Sequence, residues 1–181
     1  MEGFTDRESE SRGVRRLENV GGATVEQHAF QDYIAEQHCW GCGILNKHGL
    51  QIKSHWSGDE AVCTWQPKDS HMAGPMHILN GGIIATIIDC HCICTAIAAA
   101  YRAEGRAMNT EPSIWYATVS LNVSYLKPTA TQGPVVLRAQ ITEMKGKKTI
   151  VTCSLYASED ECARGEVVAV RVPPAWREAA T

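Results

Sequence analysis

Gly81 and Gly82 open the most hydrophobic stretch of the chain, and eight residues after Gly81 that stretch carries a carboxylate, Asp89. Glycines at a helix start let another group approach the backbone closely. The unpaired N–H groups there, with the helix dipole, favour developing negative charge. A carboxylate among apolar residues has a raised pKa unless it is hydrogen-bonded, and such groups are often functional. Asp89 is therefore the candidate general base or nucleophile, and Gly81 with Gly82 the candidate oxyanion site. Asn80, just before them, can donate a side-chain hydrogen bond but cannot titrate. The plainer readings are glycines that only make a tight turn and an aspartate satisfied by backbone or water at a subunit contact.

Other reactive side chains carry weaker signals. His91 neighbours Asp89, but positions i and i+2 of a helix do not share a face, so it reads as a core or interface histidine. Cys39-Trp-Gly-Cys42 is a CxxC. Zinc would want two more ligands, for which His38, His48 or His55 could be recruited, and no second CxxC exists. A redox pair would want a strand before it and a helix after it, whereas a glycine-rich loop follows. The pair reads as a structural loop, with no metal and no cofactor expected. Cys90, Cys92 and Cys94 read as small hydrophobes on a buried helix.

The elements that must position these groups follow from pattern and composition. At 181 residues the chain is one domain with extensions, large enough to bury a core. A net charge of −3 without a basic stripe points away from nucleic acid. The opening residues contain no apolar signal segment, and eight cysteines then suggest reduced thiols in a cytoplasm. The run from Gly81 to Tyr101 is nearly long enough to span a bilayer. Asp89 near its middle would cost about 2.5–3.5 kcal/mol there, and no basic flank precedes it. A buried core helix is the better reading, and no membrane is expected.

Residues 1–24 read as a flexible tail, and "TVEQHAFQDYIAEQ" as a short amphipathic helix capped by Thr24. After the loop "HCWGCGILNKHGL" comes a hairpin, "LQIKSHW", "SGDE", "AVCTWQP". The apolar helix runs from Gly82 to about Arg102, stopped by Gly105. Four strand-like runs follow. In "WYATVSLNVSYL" the apolar positions Ala117, Val119, Leu121, Val123 and Tyr125 alternate with polar ones, which predicts that the apolar set faces the helix. "GPVVLRAQITEM" and "KKTIVTCSLYA" are joined by a "KGK" turn, "EVVAVRV" ends the sheet, and residues 174–181 form a C-terminal tail. A helix apolar on every side must be covered on every side. The compact answer is an α+β fold, a curved antiparallel sheet wrapped around one long central helix, with a second subunit closing what one sheet leaves open.

That element order, with Asn80-Gly81-Gly82, the acid eight residues beyond Gly81 and "VSYLKP" closing the next strand, resembles the hot-dog acyl-CoA thioesterases. The branch it resembles is the PaaI-like one that includes the THEM proteins. The resemblance covers about residues 36–173 and includes "CWGCG…HGL"; the hot-dog domain is taken as residues 25–173, with 25–49 as its N-terminal helix and Cys/Gly loop. It implies that the Gly81 N–H polarises a thioester carbonyl, that Asp89 activates water or attacks, and that the substrate is a small or medium acyl-CoA. Thr118, ten residues before Pro128, falls where related enzymes carry a Ser or Thr that helps place the water. Its strand parity conflicts with that role, since Thr118 belongs to the polar set; either the strand twists or bulges there, or Thr118 faces away.

For the CoA phosphates the resemblance suggests Lys127, Lys145, Lys147 and Lys148, and for the pocket mouth His71. The family usually has His-Gly-Gly, so Asn80 leaves open a non-catalytic acyl-CoA-binding module. A hot-dog dehydratase is a third possibility, because "HMAGPM" resembles the His loop of those enzymes, although their acid comes sooner after the histidine. The partner expected is a second copy of the chain, as a homodimer or homotetramer with shared sites. Eight residues of helix rise about 12 Å, while a reacting carbonyl must lie about 3–3.5 Å from its nucleophile with its oxygen on the oxyanion donors. One helix can hardly meet both conditions.

Overall fold

The structure is a computed structural model describing residues 28–34, 37–173 and 175–178. The expected tail and the first residues of the expected N-terminal helix lie outside these. What is described of that helix is one 3-10 turn, Phe30–Tyr33, after which Ile34 is extended. The turn is held from outside itself: the Phe30 N–H donates to the Ser54 carbonyl, and buried Gln31 bonds Ser54 through both ends of its amide.

Six strands form one antiparallel sheet: β1 His55–Ser57, β2 Glu60–Trp65, β3 Trp115–Tyr125, β4 Val135–Lys145, β5 Lys148–Ala157 and β6 Asp160–Val172, in the order β1-β2-β4-β5-β6-β3. The expected first strand is cut short. Its first residues bond the Cys/Gly loop instead, with the Ile52 N–H on the Gly41 carbonyl and the Leu50 N–H on that of Trp40. β6 starts earlier than its apolar run because Ser158, at φ 56°, turns the chain directly back along β5.

Helix α1, Gly81–Ala103, lies across β3 to β6. Asn80 is its N-cap, with the side-chain oxygen accepting from the N–H groups of Gly82 (2.8 Å) and Ile83 (3.4 Å). It ends as the glycine predicts, with Gly105 at φ +63° one residue beyond the cap. Ile84, Ile87, Ile88 and Ile97 meet Leu137 and Ala139 of β4, Val151 and Leu155 of β5, and Ala163, Val167 and Ala169 of β6 in one core. By length and hydropathy α1 could cross a bilayer; most of it is buried inside this protein instead. At Gly165 the helix approaches β6 so closely that a Cβ would sit 2.4 Å from Ile88 Cγ2.

One flank of the sheet stays open. β3 is an edge strand, and Val119, Leu121, Tyr125 and the following Leu126 are exposed there.

Candidate active site

The start of α1 is prepared by its surroundings. The carbonyl of His71 accepts the Asn80 N–H at 3.0 Å, and the Leu79 N–H donates to the Thr129 carbonyl, so the approach to the helix is pinned on both sides. Asn80 then occupies the N–H groups of Gly82 and Ile83, while the Ile84 N–H takes the Asn80 carbonyl. Of the first four helical N–H groups, that of Gly81 has no acceptor among the described residues. Asn80 thus spends its oxygen on the neighbouring donors and leaves the Gly81 donor without a partner among the described residues, as an oxyanion site requires.

Tyr125 completes this end. Its hydroxyl donates to the Gly81 carbonyl at 2.8 Å, and a Cβ on Gly81 would touch its ring at 3.4 Å. Sequence reasoning missed it: a tyrosine in an alternating strand signals only a half-buried face.

Asp89 lies two turns along α1, half-buried, and Thr118 Oγ1 donates to its Oδ1 at 2.6 Å. Burial raises the Asp89 carboxyl above the usual carboxylate range, the Thr118 hydrogen bond works against that rise, and neighbouring Cys42 adds to it. The parity conflict is resolved by a β-bulge. The β3–β6 register shifts between Thr118, opposite Ala169, and Ser120, opposite Val168. Before the bulge Tyr116 and Thr118 face α1; after it Leu121, Val123 and Tyr125 do, opposite Val167, Gly165 and Ala163. Ala117 and Val119 therefore do not face the helix as their alternation predicts, and Val119 is 66% exposed. An extra residue in one strand exchanges the two faces, and bulges recur where a side chain must be re-aimed.

The structure does not gather the other expected residues within one protomer. The His71 ring stacks on Trp65, centroids 5.1 Å apart, and its Nδ1 accepts the Lys68 N–H. Burial, with Lys68 nearby, lowers its pKa. Lys127, just beyond the Tyr125 end of β3, is paired with Asp160. Lys145 and Lys147 flank the turn at Gly146, and Lys148 pairs with Glu143 at 3.1 Å. That turn lies at the opposite end of the sheet, because Lys148 sits opposite Val170, which in turn sits opposite Ala117.

His91 is a core histidine, fully buried, with Nδ1 2.8 Å from Ser54 Oγ and Nε2 3.2 Å from the Ala61 carbonyl. Desolvation lowers its pKa to about 4, so it is neutral. The thiols depart further from expectation. Cys90 does not merely fill space; its sulfur lies 3.6 Å from Cys39 Sγ. His38, His48 and His55 are not part of this thiol cluster.

One long helix packed against a six-stranded antiparallel sheet is the hot-dog fold. The sequence pattern described as the thioesterase superfamily matches residues 76–163, from just before the double glycine into β6. A solved structure of a thioesterase superfamily protein from Shewanella loihica PV-4 is 35% identical, with a TM-score of 0.60, and the match covers 80% of this chain and 100% of that one. The chain belongs to the thioesterase superfamily. It is also 31% identical over 100 residues to mouse acyl-coenzyme A thioesterase THEM4, covering 55% of this chain and 37% of that protein. The chain thus spans well under half of the mouse relative's length. A structure of the BH2602 protein from Bacillus halodurans, solved with CoA, shares the fold at 19% identity, with a TM-score of 0.52 and coverage of 68% of this chain and 72% of that one.

Proposed function

We propose that the chain hydrolyses a small or medium acyl-CoA to the free acid and CoA, through sites shared between two copies of its hot-dog domain, residues 25–173. The observation that carries this is the Thr118–Asp89 hydrogen bond, made by a bulge that re-aims a single hydroxyl onto a half-buried acid. The Gly81 N–H of one subunit polarises the thioester carbonyl. Asp89 of the partner subunit takes a proton from a water oriented by Thr118. The water oxygen bonds to the carbonyl carbon, the C–S bond breaks, and the CoA thiolate recovers the proton from Asp89. Acyl-CoA as the substrate is supported by the thioesterase named among the relatives and by the CoA-containing fold neighbour.

Sharing rests on the open edge. Thr118 and Tyr125 are seven residues apart on β3, about 23 Å along an extended strand. A two-fold axis through the middle of β3 would set the partner's Thr118 opposite Asn122, only about 10 Å from Tyr125 and the Gly81 beneath it. The same pairing would cover Val119 and Leu121 and satisfy the unpaired edge. It would also turn the partner's Lys145, Lys147 and Lys148 toward the end of the sheet that holds Lys127 and His71, leaving a rim for the CoA arm.

The test mixes two inactive variants. Proline is tolerated at the first helical position and lacks the N–H, and its Cβ would meet Tyr125 at an ordinary 3.4 Å, so Gly81→Pro deletes the oxyanion donor. Asp89→Asn deletes the base. With full subunit exchange, half the dimers are mixed and each regains one of two sites, or about a quarter of wild-type activity. No recovery despite demonstrated exchange refutes sharing. Acyl-CoA binding without CoA release by the wild-type chain, across an acyl-chain panel, would favour the binding-module reading that Asn80 raises.

A further inference from the structure

The Cys/Gly loop presses two cysteines onto α1 where the helix offers two more. Cys39, Cys42 and Cys90 have sulfurs all within 4.8 Å of one another. Cys94 lies outside that trio, one turn beyond Cys90 on the same helix face, and interacts electrostatically with Cys42. Three of the four are buried, Cys94 at 1% exposure, while Cys39 is open to solvent. The loop backbone is shaped for this approach. A Cβ on Gly41 would fall 2.4 Å from Cys90 Sγ, and one on Gly43 would fall 2.5 Å from the Cys39 nitrogen. The Gly43 N–H closes the CxxC turn on the Cys39 carbonyl at 2.8 Å.

We propose that Cys39, Cys42, Cys90 and Cys94 bind a thiophilic divalent cation, zinc, as a four-thiolate structural site. With Zn–S near 2.3 Å in a tetrahedron, sulfurs lie about 3.8 Å apart, and the Cys39–Cys90 separation of 3.6 Å is already at that value. The binding step balances as one Zn²⁺ and four thiols giving a tetrathiolate complex and four released protons. Four protein ligands leave no open position, so the ion does not take part in hydrolysis. It ties the loop from Cys39 to Cys42 to α1 one residue from Asp89. The readouts below therefore do not depend on turnover.

Reduced, metal-free wild-type protein is titrated with Zn²⁺ against a chromophoric chelator, and with Co²⁺ under anaerobic conditions. The expected results are one ion per chain, release of protons on binding, a rise in unfolding temperature, and the intense visible bands and thiolate charge-transfer absorption of tetrahedral cobalt. Cys42→Ser and Cys90→Ser should lose that spectrum, Cys94→Ser should weaken and shift it, and Cys162→Ser, outside the cluster, should keep it. Wild-type protein that fails to hold zinc against the chelator overturns the proposal whatever the variants do. So does a Cys39–Cys90 or Cys39–Cys42 disulfide in protein isolated with zinc present. A cobalt spectrum unchanged in Cys94→Ser overturns the four-cysteine ligand set.

Discussion

Replacing Asp89 by asparagine, alone and together with Thr118→Val, is the most direct probe of the proposed chemistry. Asparagine keeps the shape of the side chain and an oxygen that can still accept the Thr118 hydroxyl, so the bulge and the helix should be undisturbed. What is lost is the proton acceptor, which typically contributes 10²–10⁴ in rate, equivalent to about 2.7–5.4 kcal/mol of barrier. The loss should fall on kcat with KM little changed, because the acyl-CoA contacts remain. Thr118→Val removes a hydrogen bond to a charged group, worth about 1.5–3 kcal/mol in protected settings. Thr118 is exposed and Asp89 only half-buried, so the low end applies and turnover should fall about tenfold. If Thr118 acts through Asp89, the second substitution should cost no more than about twofold in the Asp89→Asn background. Steady-state release of free thiol from a panel of acyl-CoAs measures all four proteins, with circular dichroism to establish folding. Near-wild-type turnover of Asp89→Asn would remove the carboxylate from the mechanism. Fully additive losses would show that the 2.6 Å contact is not how Thr118 works.

Asn80→Ala removes the acceptor for the Gly82 and Ile83 N–H groups and should cost about 1 kcal/mol of stability. Turnover should fall only a fewfold, and Asn80→His should be tolerated; a loss as complete as that of Asp89→Asn would make the amide a principal participant. Gly165→Ala forces a methyl to within 2.4 Å of Ile88 Cγ2 and should destabilise by about 1–3 kcal/mol in urea unfolding; an unchanged midpoint would mean that helix and sheet are not in this close contact. His91→Ala leaves Ser54 Oγ with Gln31 as its remaining partner, takes the imidazole from the Ala61 carbonyl and opens a cavity in the core. It should cost at least about 3 kcal/mol, and a loss below about 1 kcal/mol would place His91 outside the core.

Local pattern was enough for the long helix, its double-glycine start, its stop at Gly105 and the strand runs after it, because each depends on residues within a few positions of one another. Asn80 as a cap is legible in the same way: a side chain and the N–H groups two and three residues on form one local unit. The acid could be singled out because a charge amid apolar residues stands out in one dimension. Strand periodicity failed on the near side of the β3 bulge, at Ala117 and Val119. Val119 looks like part of the apolar face, but the bulge depends on how β6 pairs with β3, and no property of "ATVSL" alone encodes its partner's register.

Contacts made across the fold were decided by tertiary structure alone. Thr118 and Asp89 are 29 positions apart, Tyr125 and Gly81 are 44, and Cys39 and Cys90 are 51. The CxxC read as a structural loop, because the cysteines proposed to join it sit on an apolar helix, where each thiol reads as one more hydrophobe. Only when the glycine-sized gap at Gly41 lets the loop close on α1 do the sulfurs of Cys39, Cys42 and Cys90 meet. Sequence determines which groups are available and, in an unbroken helix or strand, which face they occupy. Packing determines which of them share a volume, because burying the apolar surface of α1 offsets the entropy cost of closing the long loops between distant segments.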